Sequence, residues 1–223
     1  MTILHHLDDA TLLRYASGDL DEAFSVVVAA HLAMCDDCRR AVRAAEEIGG
    51  QLLTAQETAE LSINAFDRLM RQLDNVDDMI AVADEGAGGD VARATGDVPE
   101  PLRRFVGASL DAVAWKSVAP GVRKHAIRLS SRSASSLYML QIAPGKTLPE
   151  HGHGGAEMTL ILSGAYRDEL GRFSRGDIAD LDEHVEHQPL VEAGGPCICV
   201  VAAETPTRFK GLFSRLLQPL VGI

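Results

Sequence analysis

Apolar and polar positions in the first 80 or so residues recur with the period of a helix. Capping acids and glycines mark three helices, which run from Asp8 or Asp9 through Ala16, from Asp21 and Glu22 to about Met34, and from Asp36 and Asp37 through Ile48. We expect Gly49-Gly50 to break or kink the third helix.

A fourth helix is predicted to open at Ser62. Its apolar residues recur at intervals of three and four, which is typical of an amphipathic helix with one apolar face. They are Ile63, Phe66, Leu69, Met70, Leu73, Val76 and Ile80.

The pattern changes after the fourth helix. Residues 86–101 hold four glycines and two prolines, and this composition predicts a flexible linker. From Leu102 onward, short apolar runs alternate with turn signals at a spacing of about ten residues, which favours an antiparallel β-sandwich or small barrel. Residues 208–223 return to helical spacing, and this tail is expected to pack on the barrel or on a dimer partner. The sequence therefore predicts an all-α domain over residues 1–85, the linker, and an all-β domain over residues 102–223.

The net charge of −11 is confined to the helical segment. Residues 1–85 hold 17 acidic against 6 basic residues, and residues 86–223 hold 15 of each. This argues against direct contact with nucleic acid, which needs clustered Lys and Arg, and it favours a basic partner protein. A simple solvated surface is the alternative.

The N-terminal residues do not resemble a secretory signal, and the longest apolar stretch, from Ala23 to Met34, is too short to span a bilayer. We therefore expect a cytoplasmic protein that is not bound to a membrane. Its four cysteines are then expected to be thiols or metal ligands rather than disulfides.

His31, Cys35 and Cys38 form the pattern H-x3-C-x2-C. His31 and Cys35 share a helix face, and the C-x2-C step brings Cys38 into the first turn of the third helix. We expect the positive end of that helix to favour the Cys38 thiolate. A fourth ligand, from His5 or His6, would complete a tetrahedral structural zinc site. Redox chemistry at Cys35 and Cys38 is a second interpretation.

A second set of metal-ligand residues lies in the β segment. His151 and His153 alternate on one face of a strand, Glu157 follows, and a later strand supplies His187. His184 is a weaker competitor for the fourth place. Three imidazoles and one carboxylate suit zinc, iron, manganese or nickel.

Cys197 and Cys199 lie two residues apart in an apolar strand, so their side chains face the same way. They are either a redox pair near the second metal site or two inert buried thiols.

Two family resemblances cover nearly the whole chain. The segment H31-L-A-M-C35-D-D-C38, with His6 before it and the amphipathic helix after it, resembles the zinc-binding anti-sigma domain. The segment from Gly145 to Gly164, which reads G-x5-H-x-H-x3-E-x6-G, resembles the first motif of the cupin family, whose second motif opens at Gly176-Asp177 and has its histidine at His187. Between these two positions Asp182, Glu183 and His184 depart from the usual cupin pattern. Together with the opening MTILHH, these features resemble the ChrR subgroup of anti-sigma factors.

The resemblance implies that His6, His31, Cys35 and Cys38 hold zinc and that the helical domain inhibits an extracytoplasmic-function sigma factor. It also implies that apolar helix faces bind the sigma factor, and our candidates are Phe66, Leu69, Met70 and Leu73. The alternative for these four is an ordinary core face of a packed helix.

The function hypothesis is an anti-sigma factor whose metal-bound cupin domain is needed for release under oxidative stress. The resemblance implies singlet oxygen or related oxidants as the cause of this stress, with organic peroxides as an alternative. The alternative is a cupin metalloenzyme, a dioxygenase or hydrolase, with a regulatory helical domain. A metal-storage or metal-sensing protein is a third hypothesis.

Overall fold

The computed structural model describes residues 2–73, 96–205 and 208–209. The chain divides into a larger unit of Met1–Gly49 with Gly96–Ile223 and a smaller unit of Gly50–Thr95. The predicted bounds of the two domains stay a prediction, because residues 74–95, which include most of the predicted linker and also Val76 and Ile80, lie outside the described residues.

Five α-helices occur in the described residues. They are α1 (Asp9–Ala16), α2 (Glu22–Leu32), α3 (Asp36–Thr54), α4 (residues 65–73) and α5 (Glu100–Val106). The predicted acids cap the first two, since the Asp8 carboxylate accepts a hydrogen bond from the Thr11 amide at 2.6 Å and Asp21 accepts one from the Ala23 amide at 3.0 Å.

Two features of the helices differ from prediction. The predicted break at Gly49-Gly50 is wrong, since helix α3 continues to Thr54; a kink at this pair stays a prediction. Glycine keeps its backbone N–H, so it weakens a helix without interrupting the hydrogen-bond ladder, and good helix formers flank the pair on both sides. Helix α5 was not predicted. It begins directly after Pro99, in the last residues of the predicted linker.

The β segment forms three antiparallel sheets in the described residues. The strands are β1 (Lys116–Ala119), β2 (Val122–Ile127), β3 (Ser136–Ile142), β4 (His151–Gly152), β5 (Glu157–Ser163), β6 (Ala165–Asp168), β7 (Gly171–Ser174), β8 (Ile178–Leu181), β9 (Glu186–His187), β10 (Leu190–Val191), β11 (Cys197–Ala203) and β12 (Arg208–Phe209). The six-stranded sheet has the order β1-β2-β3-β11-β5-β8, and the two three-stranded sheets have the orders β10-β6-β7 and β12-β4-β9.

Strand β12 corrects the prediction for the start of the C-terminal tail. Its two residues pair with Gly152 and His151 as a strand rather than opening a helix. Residues 210–223 lie outside the described residues.

The six-stranded sheet buries both of its faces. Side chains alternate along each strand, so Met139 and Leu160 enter one apolar cluster while Leu140 and Ile161 enter the other. The apolar cluster that contains Met139 also includes the apolar residues of α2. This helix packs against β11, β5 and β3 and against α5. The apolar cluster that contains Leu140 also includes Tyr166, Phe173 and Val191 from the facing strands, and it forms the interior of the cupin-like part.

Helix α2 is buried nearly all round because the sheet and α5 cover it. Its buried residues are Ala23, Phe24, Val26, Val27, Val28, Ala30, His31 and Leu32. The described structure is therefore helical at the N-terminus and cupin-like in the β segment, as predicted.

We predict that Leu160→Ala lowers the free energy of unfolding by about 2–5 kcal/mol, because Leu160 is fully buried between the sheet and α2 and its removal leaves a cavity. Urea unfolding followed by circular dichroism measures the change. Leu170→Ala is the control, since Leu170 is 46% exposed and should change the stability by less than about 0.5 kcal/mol. Equal effects of the two substitutions would contradict the described packing.

Candidate metal centres

Four nitrogen and sulfur donors meet beside the turn between α2 and α3. His6 precedes α1, His31 lies in the last turn of α2, Cys35 lies in the turn, and Cys38 lies in the first turn of α3. Their ligand atoms all lie within 4.8 Å of one another. His31, Cys35 and Cys38 are buried, and His6 closes the group from the exposed side. We call these four residues the first cluster.

The distances inside the first cluster suit one four-coordinate ion. His31 Nε2 lies 3.3 Å from Cys38 Sγ, and His6 Nδ1 lies 3.3 Å from Cys35 Sγ and 3.5 Å from Cys38 Sγ. Nitrogen and sulfur ligands at the corners of a tetrahedron around a first-row metal ion lie about 3.6 Å apart. The first cluster is therefore a group that can hold a metal ion.

The structure distinguishes between the two N-terminal histidines. The His5 ring stacks on Phe173 with the ring centroids 4.0 Å apart, and its Nε2 lies 3.0 Å from the carbonyl oxygen of Arg172. His5 thus faces β7, and His6 is the one that joins Cys35 and Cys38.

A backbone carbonyl orients the His31 ring. Its Nδ1 donates a hydrogen bond to the carbonyl oxygen of Gly176 at 3.0 Å, which leaves the Nε2 lone pair directed at Cys38. Burial lowers the pKa of His31 to about 4, so the ring is neutral near pH 7. A neutral imidazole with its free nitrogen inside the cluster is the form that binds a metal ion.

The expectation that the start of α3 favours the Cys38 thiolate stays a prediction. Burial, with the nearby Cys35 as a smaller cause, raises the pKa of Cys38 to about 11. Desolvation of the sulfur is the largest cause of this shift, and it opposes the thiolate. A bound cation would supply the charge that stabilises the thiolate.

A second group of imidazoles lies in the β segment. His151 in β4 and His187 in β9 are directly paired across two antiparallel strands. Their Nε2 atoms lie 3.0 Å apart, and His153 completes a group whose ligand atoms lie within 4.8 Å of one another. All three histidines are buried. We call them, together with Glu157, the second cluster.

The hydrogen bonds of His151 and His187 fix the inner nitrogens as acceptors. His151 Nδ1 donates to the carbonyl oxygen of Pro149 at 2.9 Å, and His187 Nδ1 donates to Asp168 Oδ2 at 2.8 Å. In neutral rings the two Nε2 lone pairs then face each other, which is unfavourable unless a cation lies between them. Burial is the main cause that lowers the pKa of His151 to about 4, and the neighbouring His187 ring is the next, so a proton is held weakly on His151.

Glu157 adjoins the imidazoles through His153. Its Oε2 lies 3.2 Å from His153 Nδ1, and its Oε1 lies 3.4 Å from the Thr159 hydroxyl. The other ring nitrogen of His153, Nε2, is buried and has no hydrogen-bond partner among the described residues. An unsatisfied buried nitrogen costs free energy, and a metal ion beside it would remove that cost.

His184 does not take part in the second cluster. Its side chain is 82% exposed, and it lies 3.8 Å from the Glu183 carboxylate. The structure thus places His187, and not His184, beside His151.

A cavity of about 260 Å³ opens beside the second cluster. His151, Glu157 and His187 contribute to its wall, and most of the remaining wall is apolar. Cys197 and Cys199 also face this cavity from β11. Burial raises the pKa of Cys197 to about 12 and that of Cys199 well above its usual range, so both are thiols in the folded protein.

The sequence did not identify Asp168, Gly176 and Asp177 as supporting partners of the two clusters. The Asp168 side chain is fully buried and orients His187, but nothing in the local sequence marks this residue. Gly176-Asp177 was recognised as the opening of the second cupin motif. Its contact with the first cluster was not predicted, because Gly176 and His31 are 145 residues apart in the chain.

We predict that Asp168→Asn weakens metal binding at the second cluster by about 10- to 100-fold, because the amide orients the His187 ring less firmly and supplies no negative charge. Competition with a chromophoric chelator measures the affinity. Asp182→Asn is the control, since Asp182 is exposed and accepts a hydrogen bond only from a local amide, that of His184. Unchanged affinity in Asp168→Asn would show that the carboxylate does not support the site.

Known proteins resemble both parts of the chain. The family model for the ChrR cupin-like domain matches residues 104–205. Anti-sigma-E factor ChrR of Cereibacter sphaeroides is 40% identical over 223 residues, which is 100% of both chains. A chain in the crystal structure of Rhodobacter sphaeroides SigE in complex with the anti-sigma ChrR is 38% identical, with a TM-score of 0.74, and the match covers 91% of this chain and 100% of that one. Because the similarity to the Cereibacter protein extends over the full length of both sequences, this chain belongs to the ChrR family.

Proposed function

We propose that this chain is an anti-sigma factor that binds and inhibits an extracytoplasmic-function sigma factor. The observation that carries the proposal is the 40% identity, over the whole chain, to a protein named anti-sigma-E factor. The similarity to a chain crystallised with SigE supports a sigma factor as the partner. The role is regulatory, and this argues against the alternative of a cupin metalloenzyme.

The smaller unit supplies the proposed contact surface. Among its described residues, 50–73, none is buried. Its exposed apolar side chains are Leu52, Leu53, Leu61, Ile63, Phe66, Leu69, Met70 and Leu73. So many exposed apolar side chains in one short segment are typical of a surface that a partner covers. The four predicted contact residues are among them, with Phe66 exposed to 71% and Leu69 to 53%.

The charge of the helical segment suits the same partner. Residues 1–85 hold 17 acidic against 6 basic residues. A protein that contacts DNA carries basic surfaces, and an acidic inhibitor is attracted to them and accelerates association.

The first cluster is proposed to hold zinc. Two imidazoles and two thiolates in a tetrahedral arrangement form a closed set that leaves no position for a substrate, which is typical of structural zinc sites. Zinc there would join α2 and α3 to the segment before α1. The second cluster is proposed to hold zinc or another divalent transition metal (iron, manganese or nickel), which the three imidazoles and Glu157 would bind.

We further propose that the metal-bound cupin domain is needed for release of the sigma factor under oxidative stress, caused by singlet oxygen or an organic peroxide. The cavity supports this role because its wall contains part of the second cluster and two thiols. No helix of the described residues is long and apolar enough to cross a membrane, and the proposed site of action is the cytoplasm.

We predict that the double substitution Phe66→Glu and Leu69→Glu weakens sigma binding by about 30-fold or more, since two charges would have to be buried in an apolar interface. Co-expression with an extracytoplasmic-function sigma factor from the same organism, followed by purification and a binding titration, provides the measurement. Leu170→Glu is the control, because it places the same charge on an exposed apolar residue outside the proposed surface. The surface is assigned wrongly if all variants bind equally well.

We predict that His151→Ala leaves inhibition intact and abolishes release after exposure to singlet oxygen, because it removes a ligand of the second cluster only. A reporter fused to a sigma-dependent promoter measures both effects in cells. His184→Ala is the control, since that exposed histidine lies outside the second cluster. A normal response of the His151 variant would reduce the cupin domain to a scaffold, while the anti-sigma role would stand.

A further inference from the structure

The turn between β7 and β8 lies against the first cluster. This turn leads from β7 into β8, the edge strand of the six-stranded sheet, which we call the cupin sheet. Every residue of the first cluster comes instead from the N-terminal helical segment. Its Gly176 carbonyl oxygen accepts the hydrogen bond from His31 Nδ1 at 3.0 Å. The cupin sheet therefore sets which nitrogen of His31 faces the two sulfurs.

Asp177 in the same turn holds the segment that carries His6. It is completely buried. Its Oδ1 accepts hydrogen bonds from the backbone amides of Leu4 at 2.6 Å and His5 at 3.0 Å. Its Oδ2 accepts hydrogen bonds from the amide and the hydroxyl of Ser174 at 2.8 and 2.9 Å. One carboxylate thus joins the turn to the two residues directly before His6.

Further contacts keep this segment in place. The Ile178 amide donates to the His5 carbonyl oxygen at 3.3 Å, next to the stacking of His5 on Phe173. Gly176 has a φ of +88°, and a Cβ at this position would lie 2.9 Å from two side-chain carbons of Ile3. The segment passes so close to the turn that a residue with a side chain does not fit there.

The turn is also attached to the strand that carries Glu157. The Gly176 amide donates to the Ile161 carbonyl oxygen at 2.8 Å, and the Ile161 amide donates to the Asp177 carbonyl oxygen at 3.0 Å. Ile161 lies in the middle of β5, and Glu157 is the first residue of that strand. A continuous set of hydrogen bonds therefore runs from the strand of the second cluster to His31 and to the segment that bears His6.

We propose that Asp177 is a positioning residue of the first cluster, which makes the cupin sheet a structural part of the metal site in the helical segment. This inference rests on metal binding at the first cluster, as proposed above. Asp177 does not touch the metal. It acts through His6, by fixing the two preceding amides, while its neighbour Gly176 fixes His31.

Cobalt(II) titration of the full-length chain provides a test that is specific for the first cluster. Thiolate ligands give sulfur-to-cobalt charge-transfer absorption, and only the first cluster contains sulfur ligands. Asp177→Asn should lower the cobalt affinity measured at this band by about 10- to 100-fold, because one amide cannot accept all four hydrogen bonds. Asp168→Asn is the matched control and should leave the sulfur band unchanged while weakening the second cluster.

A second variant applies if Asp177→Asn unfolds the sheet. Leu4→Pro removes one amide donor to Asp177 from an exposed position outside the sheet, and it should lower the affinity about tenfold. Unchanged cobalt affinity in the folded variant overturns the inference. Absence of the sulfur band in the unsubstituted chain would instead overturn the proposed metal binding, so the two failures can be told apart.

Discussion

The hydrogen bond between His31 and the carbonyl oxygen of Gly176 joins the two halves of the larger unit at the point where a cation is expected. Helix α2 must present His31 to Cys38 and must also be covered, since most of its side chains are apolar and buried. Packing against the six-stranded sheet satisfies both requirements. The sheet covers the helix, and the turn before β8 accepts the hydrogen bond from the His31 ring. The helical segment and the cupin sheet thus share an apolar core and a polar contact.

Both clusters are prepared for a cation in the same way. In each, a protein oxygen accepts the outer N–H of a buried histidine, so that the inner nitrogen is an acceptor. Burial lowers the pKa of His31 and His151 and therefore opposes a proton at the position where a metal ion would bind. The two clusters differ in their ligand atoms and in their surroundings. The first cluster has two sulfurs, whereas the second borders a largely apolar cavity.

Local spacing in the sequence predicted the groups of ligand residues that lie close together on one helix or on one strand. His31 and Cys35 are four apart on a helix, and His151 and His153 are two apart on a strand, so the sequence sufficed to group them. The partners of these residues were not predictable, because Asp168 and Gly176 reach them only through the pairing of distant strands. The choice of His6 over His5 likewise depends on the ring of Phe173, which attracts His5 to the sheet. The glycine pair in α3 misled the prediction because the flanking residues outweigh two unfavourable positions.

The spacing of Cys197 and Cys199 limits what an oxidant can do to them. Residues two apart in a strand have Cα and Cβ atoms about 6.6 Å apart, whereas a disulfide needs Cβ atoms within about 4.5 Å. Strand β11 is paired with β3 along all seven of its residues and with β5 on its other side. A bond between the two sulfurs would shorten β11 and pull it out of register with both neighbours. Oxidation of this pair to a disulfide would therefore distort β11, a central strand of the sheet, and would not be confined to the two side chains.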